Sequence, residues 1–170
     1  MSSKAAILGL GERGRAWAGM FRDAGWRVSG FDPDPSAMGL PTGSRGWRRE
    51  QTISSTVAYA DWVICCVPDR LELMQKIIQR AQAEAADAAV IAVTSRLHDV
   101  DAVQGCAIRP AQVVLITHAP AGGVELNLTS RNQPDLKVAA LAVLSEVCPA
   151  DLPPEGSASG VLQSRESKSA

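Results

Sequence analysis

Ile7-Leu8-Gly9-Leu10-Gly11-Glu12-Arg13-Gly14, running on through Ala16-Trp17-Ala18 and ending 18 residues past the third glycine at Asp32, is the stretch that decides the fold. Ile7 and Leu8 read as the end of a buried strand. Gly9 and Gly11 permit a tight turn and a close approach of backbone to a pyrophosphate, and Gly14 lets the following helix lie close. The first turn of that helix offers free N–H groups and the positive end of its dipole to phosphates. The same three glycines also suit an ordinary strand-to-helix turn or a methyl-donor nucleotide. Strand, helix, second strand over 28–31 and terminal acid in that order select a dinucleotide.

Asp32 bears on which dinucleotide. A carboxylate at the end of the second strand accepts hydrogen bonds from both ribose hydroxyls and repels a 2′-phosphate, so NAD is expected over NADP. The following Pro33-Asp34-Pro35 adds a second acid and no adjacent arginine. Arg45, Arg48 and Arg49 lie farther on, in a loop whose path the sequence does not fix, which leaves NADP open. The plainer reading of Asp32 is a turn-forming acid ahead of proline.

Working outward, apolar runs of strand length recur at 5–8, 28–31, 62–67, 89–93 and 113–117, with a weaker one at 124–128. Runs apolar at nearly every position suit strands covered on both faces. Between them, 70–86 carries Leu71, Met74, Ile77, Ile78 and Ala81 at helical spacing, and 135–147 reads as a last helix. This is the alternation of a doubly wound, mainly parallel Rossmann sheet of the α/β class. Residues 33–52, broken by Gly39, Gly43 and Gly46, read mostly as loop.

With 170 residues, 46% of them hydrophobic and 21% charged, the chain suits one domain, expected over 1–148 and followed by a flexible Pro/Ser/Gly-rich tail over 149–170. A net charge of −1 gives no electrostatic reason for a nucleic-acid or anionic-membrane partner. There is no apolar run of 18 residues, and 1–10 is too short to read as a secretory signal, so a cytoplasmic protein is expected. Cys65 and Cys66 are adjacent in an apparent strand, while Cys106 and Cys148 stand alone, so no metal site is expected. The adjacent pair reads as small packing residues rather than a redox couple.

The glycine loop with Trp17-Ala18, Gly25, Val28 and Asp32 resembles the NAD-binding domain of 3-hydroxyacyl-CoA dehydrogenases, in the branch of lambda-crystallin and carnitine dehydrogenase. So does Ala60-Asp61-Trp62-Val63-Ile64-Cys65-Cys66-Val67-Pro68-Asp69-Arg70-Leu71, which is similar to the family's fourth strand and Val-Pro-acid turn. Thr94-Ser95, His118 after a strand, and Val124-Glu125 extend the likeness to about 7–147. The resemblance implies reversible oxidation of a secondary alcohol in a small hydroxyacyl substrate. His118 would be the general base, Glu125 would orient its imidazole, Ser95 would bond the reacting oxygen, and Val67 and Pro68 would join the glycines and Asp32 around NAD.

The chemistry suits those residue types. A histidine titrates near neutrality, and a carboxylate fixes its tautomer. His118-Ala119-Pro120-Ala121-Gly122-Gly123 lacks the asparagine that follows the family's histidine, and Val93 stands where the family has asparagine. His98, beside Asp99, reads as a surface or helix-start residue. The family's helical C-terminal domain has no counterpart in these 170 residues. Its role would fall to a second copy of the chain or to a separate helical substrate domain. The rival readings are a non-catalytic NAD(H)-binding or sensor module and the NAD-binding half of a split dehydrogenase.

Overall fold

The structure is a computed structural model that describes residues 2–118 and 123–148 and the backbone of 164–167. Strands β1 (Lys4–Leu8), β2 (Arg27–Phe31), β3 (Trp47–Arg49), β4 (Trp62–Cys65), β5 (Val90–Thr94), β6 (Val113–His118), β7 (Val124–Thr129) and β8 (Ser164–Ser167) form one sheet in the order β3-β2-β1-β4-β5-β6-β7-β8. All neighbouring pairs are parallel except β6 with β7. The order reverses between β1 and β4, and such a switch point opens a crevice beyond the carboxyl ends of the strands. Helices α1 (Glu12–Asp23), α2 (Ile53–Val57), α3 (Leu71–Glu84), α4 (Val100–Gln104) and α5 (Pro134–Val147) cover the two faces. This is the expected doubly wound α/β architecture.

Strand alternation splits the core in two. On one face Ala5, Ile7, Ile64, Ala92, Val114 and Ile116 pack against Trp17, Ala18 and Phe21 of α1 and Ala140, Leu144 and Val147 of α5. On the other, Ala6, Leu8, Val63, Cys65, Val93 and Leu115 meet Met74, Ile78 and Ala81 of α3 and Val100 and Val103 of α4. Both faces of β1, β4 and β5 are covered, which is why these segments read as unbroken apolar runs. Trp17 and Phe21, both fully buried, stand four apart on one stripe of α1, where burial of each large apolar side chain contributes about 1.5–3 kcal/mol.

Cys65 ends β4 and is buried, whereas Cys66 lies just beyond the strand and is half-buried. Three short elements lie where the sequence shows no period. β3 is three residues long, and α2 and α4 are five each. Thr52 caps α2 by accepting from the Ser55 N–H at 3.1 Å, and Asp99 caps α4 by accepting from the Ala102 N–H at 2.8 Å. The expected tail lies outside the described residues except for the backbone of 164–167, which runs parallel to β7 with Leu126 opposite Ser164. That strand sits in a stretch whose composition does not announce one.

Asn132 holds the α4, β6 and β7 corner together. Its Oδ1 accepts from the Thr129 N–H at 2.9 Å and from Gln104 Nε2 at 3.1 Å, and its Nδ2 donates to the Ala111 and Val113 carbonyls at 3.0 and 2.9 Å. The Thr129 hydroxyl completes the network by donating to Gln104 Oε1 at 2.7 Å. Asn132→Ala leaves several of these buried groups without partners, so a loss of about 2–4 kcal/mol of stability is expected. Urea unfolding monitored by tryptophan fluorescence checks this, and a loss below about 0.5 kcal/mol, the size of an ordinary surface substitution, would contradict it.

Candidate functional site

The glycine loop closes on itself through backbone contacts. Gly9 takes a left-handed φ of 96° and donates its N–H to the Phe31 carbonyl at 2.9 Å. A Cβ there would stand 2.8 Å from the Cys66 carbonyl carbon, so β1 and the turn after β4 approach as closely as they do only because residue 9 has no side chain. A Cβ on Gly14 would lie 2.8 Å from the Gly9 carbonyl carbon, which seats the start of α1 directly on the loop. Gly11 differs. As N-cap of α1 it has φ −68° and ψ −167°, and a Cβ built on it meets nothing within 4 Å.

That empty space belongs to a cleft of about 900 Å³ at the switch point. Gly9, Gly11, Gly14, Asp32, Val67 and Pro68, the six residues expected around the cofactor, all line it, and His118 joins them. The first N–H groups of α1 have no intrahelical acceptor, and Gly11 brings no side chain to cap them, so this helix end is open to an anion. Asp32 has a second duty. Its Oδ2 accepts from the Leu10 N–H at 2.8 Å and its Oδ1 from the Asp34 N–H at 2.8 Å. The carboxylate therefore ties the glycine loop to the turn after β2, and each oxygen retains a further lone pair for a ligand hydroxyl.

Arg49, whose position the sequence leaves open, donates to the carbonyls of Ala37, Asp32 and Asp34 at 3.0, 3.2 and 3.1 Å. Its guanidinium is thereby engaged in bracing the 32–37 turn. Arg48 is exposed and reaches Glu50 at 3.9 Å.

The residues expected to carry out proton chemistry separate. His118 ends β6, lines the cleft and lies beside the Trp17 ring, with centroids 5.9 Å apart. In the antiparallel pairing of β6 with β7, His118 stands opposite Val124 and Thr117 opposite Glu125. Directly opposed residues share a face and their neighbours take the other, so Glu125 points away from His118 and toward Thr117, whose hydroxyl donates to Glu125 Oε2 at 3.4 Å. The expected orientation of His118 by Glu125 is not what this register builds.

Ser95 is 1% exposed. Its hydroxyl donates to Asp69 Oδ1 at 2.5 Å, and its Oγ accepts from the Leu97 and His98 N–H groups at 3.2 and 3.1 Å. This is an internal brace between the turn after β4 and the loop after β5, as a capping serine makes. Burial works to raise the Asp69 carboxyl, but the bonds from Ser95 and from the Arg96 N–H, with His98 nearby, hold it below the ordinary carboxylate range.

Arg13, Arg96 and Cys66 also line the cleft, and the sequence singled out none of them for it. Arg13 occupies a variable place inside the glycine motif and reaches Thr94 Oγ1 at 3.4 Å. Burial pushes the Cys66 thiol up to about 12, against a Thr94 hydrogen bond and the Arg13 charge, so it is a neutral packing group. Among the described residues no three His, Cys, Asp or Glu side chains are grouped to hold a metal. No described helix is long and apolar enough to cross a membrane.

Residues 1–124 match the family described as acetohydroxy acid isomeroreductase, NADPH-binding domain. Two curated relatives are named L-carnitine dehydrogenase/betainyl-CoA thioesterase. The one from Ruegeria pomeroyi is 30% identical over 159 residues, covering 78% of this chain and 32% of the relative. The one from Agrobacterium fabrum is 32% identical over 108 residues, covering 52% and 22%. The chain thus spans a third or less of these relatives. Among solved structures, a diketoreductase superposes with a TM-score of 0.79 at 17% identity over 99% of this chain and 65% of its own. An (S)-3-hydroxybutyryl-CoA dehydrogenase from Ralstonia eutropha does so with a TM-score of 0.78 at 13% identity, over 100% and 65%. These two share the fold.

Proposed function

The chain belongs to the family of acetohydroxy acid isomeroreductase NADPH-binding domains, and from that premise we propose that it is the NAD(H)-binding domain of an oxidoreductase of the 3-hydroxyacyl-CoA or 3-hydroxy acid dehydrogenase type. Its substrate site is completed by self-association or by a separate helical substrate domain. The observation that carries this reading is the single cleft shared by Gly9, Gly11, Gly14, Asp32, Val67, Pro68 and His118. The open helix end and the space over Gly11 fit a pyrophosphate, and the free lone pairs of Asp32 fit a ribose diol. The family's description carries NADPH, yet the acids at 32 and 34 and the engagement of Arg49 with backbone carbonyls favour the cofactor without a 2′-phosphate.

Bound NAD supplies the hydride acceptor. His118, at the carboxyl end of β6, receives the proton of the substrate hydroxyl, and the neighbouring Trp17 ring limits how the imidazole turns. A second reading, a non-catalytic NAD(H)-binding or sensor module, draws support from Glu125 on the opposite face and from Ser95 engaged with Asp69.

The deciding measurement is a fluorescence titration with NADH and NADPH. NADH is expected to bind at least tenfold more tightly, a difference of about 1.4 kcal/mol. Asp32→Ala is expected to lose one to two orders of magnitude of NADH affinity, since it removes a charge-assisted ribose contact and frees the Leu10 N–H. Asp32→Asn keeps an acceptor for one of the two N–H groups and separates loop closure from ribose recognition. Equal or tighter binding of NADPH by the unmutated protein overturns the assignment.

A further inference from the structure

The charges lining the cleft are sorted by position. Asp32 follows β2, and Glu12 borders both the cleft and the neighbouring groove formed by residues 36–42, so the acids gather toward the β2 side. The cations lie on the other side of the switch point. Arg13 reaches across to Thr94 at the end of β5, and Arg96, in the loop after β5, lines the same cleft as His118 at the end of β6. The Asp69 carboxylate lies behind that loop and is occupied by the Ser95 hydroxyl and the Arg96 N–H at 2.5 and 3.0 Å. Arg13 and Arg96 themselves are exposed to whatever fills the cleft.

A dinucleotide whose adenosine ribose is held by Asp32 runs along the carboxyl ends of the strands, so its second base lies toward Arg13, Arg96 and His118. That base is a cation in NAD⁺ and neutral in NADH. From this polarity we infer that Arg13 and Arg96 make the cleft discriminate the redox state of its cofactor, holding NADH more tightly than NAD⁺. The inference rests on the NAD(H)-binding reading above. Two like charges facing a pyridinium in a partly desolvated cleft weaken its binding, while the neutral dihydropyridine escapes that repulsion. The pyrophosphate, which Arg13 also attracts, is common to both forms and cancels from the ratio of their affinities. The ratio therefore isolates what the two arginines do at the far end. At equal concentrations of the two forms, such a cleft is loaded mainly with reduced cofactor.

The test is a pair of dissociation constants, for NADH by its fluorescence and for NAD⁺ by competition, on the full chain. The expected ratio is about tenfold in favour of NADH at low salt, shrinking as ionic strength rises. Arg13→Gln should bring it to within about threefold and Arg13→Gln/Arg96→Gln close to one, whereas Arg13→Lys should keep it. Arg15→Gln, on the same helix but facing the neighbouring groove, should leave it unchanged. Equal affinities in the unmutated protein, or a ratio that survives loss of both arginines, overturns the inference while leaving NAD(H) binding intact. Binding of neither form removes the functional reading and this inference together.

Discussion

Gly11→Val is expected to abolish NADH binding, by at least about a hundredfold or ~2.7 kcal/mol, and to leave the protein folded. The expectation comes from an asymmetry within one motif. A Cβ on Gly11 meets nothing within 4 Å, and the residue's φ of −68° is open to any side chain. Valine costs the fold only the difference between a tolerated and a poor N-cap, about 1 kcal/mol. Its methyl groups fill the part of the cleft where the helix start must approach a pyrophosphate. At Gly9 and Gly14 the logic is reversed, because a Cβ strikes the backbone of Cys66 or of Gly9 itself. Gly9→Val and Gly14→Val should lose cofactor binding only by losing the loop, with a clear fall in thermal stability. NADH titration and thermal melts run side by side on the three variants separate these cases. If Gly11→Val binds NADH normally, the nucleotide does not sit on this loop.

The parts of the site that were legible in the sequence act locally. Gly9, Gly11, Gly14 and Asp32 take their roles from backbone conformation and from positions at the ends of adjacent strands, and a short motif encodes both. Val67 and Pro68 rest instead on the resemblance of the turn after the 62–67 run to the family's Val-Pro-acid turn, and all six meet in one cleft. The sheet was legible because buried parallel strands are continuous apolar runs. β3, α2 and α4 were not, since three to five residues carry no measurable period. Arg13 could have been noticed as a cation inside the phosphate-binding motif, but its reach to Thr94 depends on strand order.

Glu125 fails for a sharper reason. Whether two residues of a hairpin share a face depends on the parity of their separation around the turn, and a change of one residue in loop length inverts it. With Val124 opposite His118, the carboxylate one residue on is delivered to the wrong face. Ser95 illustrates the other limit, for nothing in Thr94-Ser95 announces that Asp69, 26 residues earlier, accepts the hydrogen bond of its hydroxyl.

Those two displacements set the expected kinetics. The isolated chain should bind NADH yet turn over hydroxyacyl substrates slowly, below about 1 per second, where ordinary enzymes reach about 1 to 1,000. Holding an alcohol within reach of a base and in line with a hydride acceptor is worth on the order of 7–11 kcal/mol of the barrier. His118 is in the cleft, but the carboxylate meant to steady it faces Thr117 and the serine meant to hold the oxygen is bonded to Asp69. Few groups remain on this chain to fix a small substrate, so a covering surface must supply them. If a second copy does so, specific activity rises with protein concentration as dimers form. If a separate helical domain does so, activity stays low at every concentration until that partner is added. In both cases His118→Ala should remove nearly all of the rate and leave the affinity for NADH within about twofold. Steady-state rates on 3-hydroxyacyl-CoA and free 3-hydroxy acids, taken from dilutions where light scattering reports only monomer up to concentrations where it reports dimer, distinguish these outcomes. A monomer that turns over at ordinary enzymatic rates, lost in His118→Ala, would mean that one face of the cleft suffices and that no covering surface is needed.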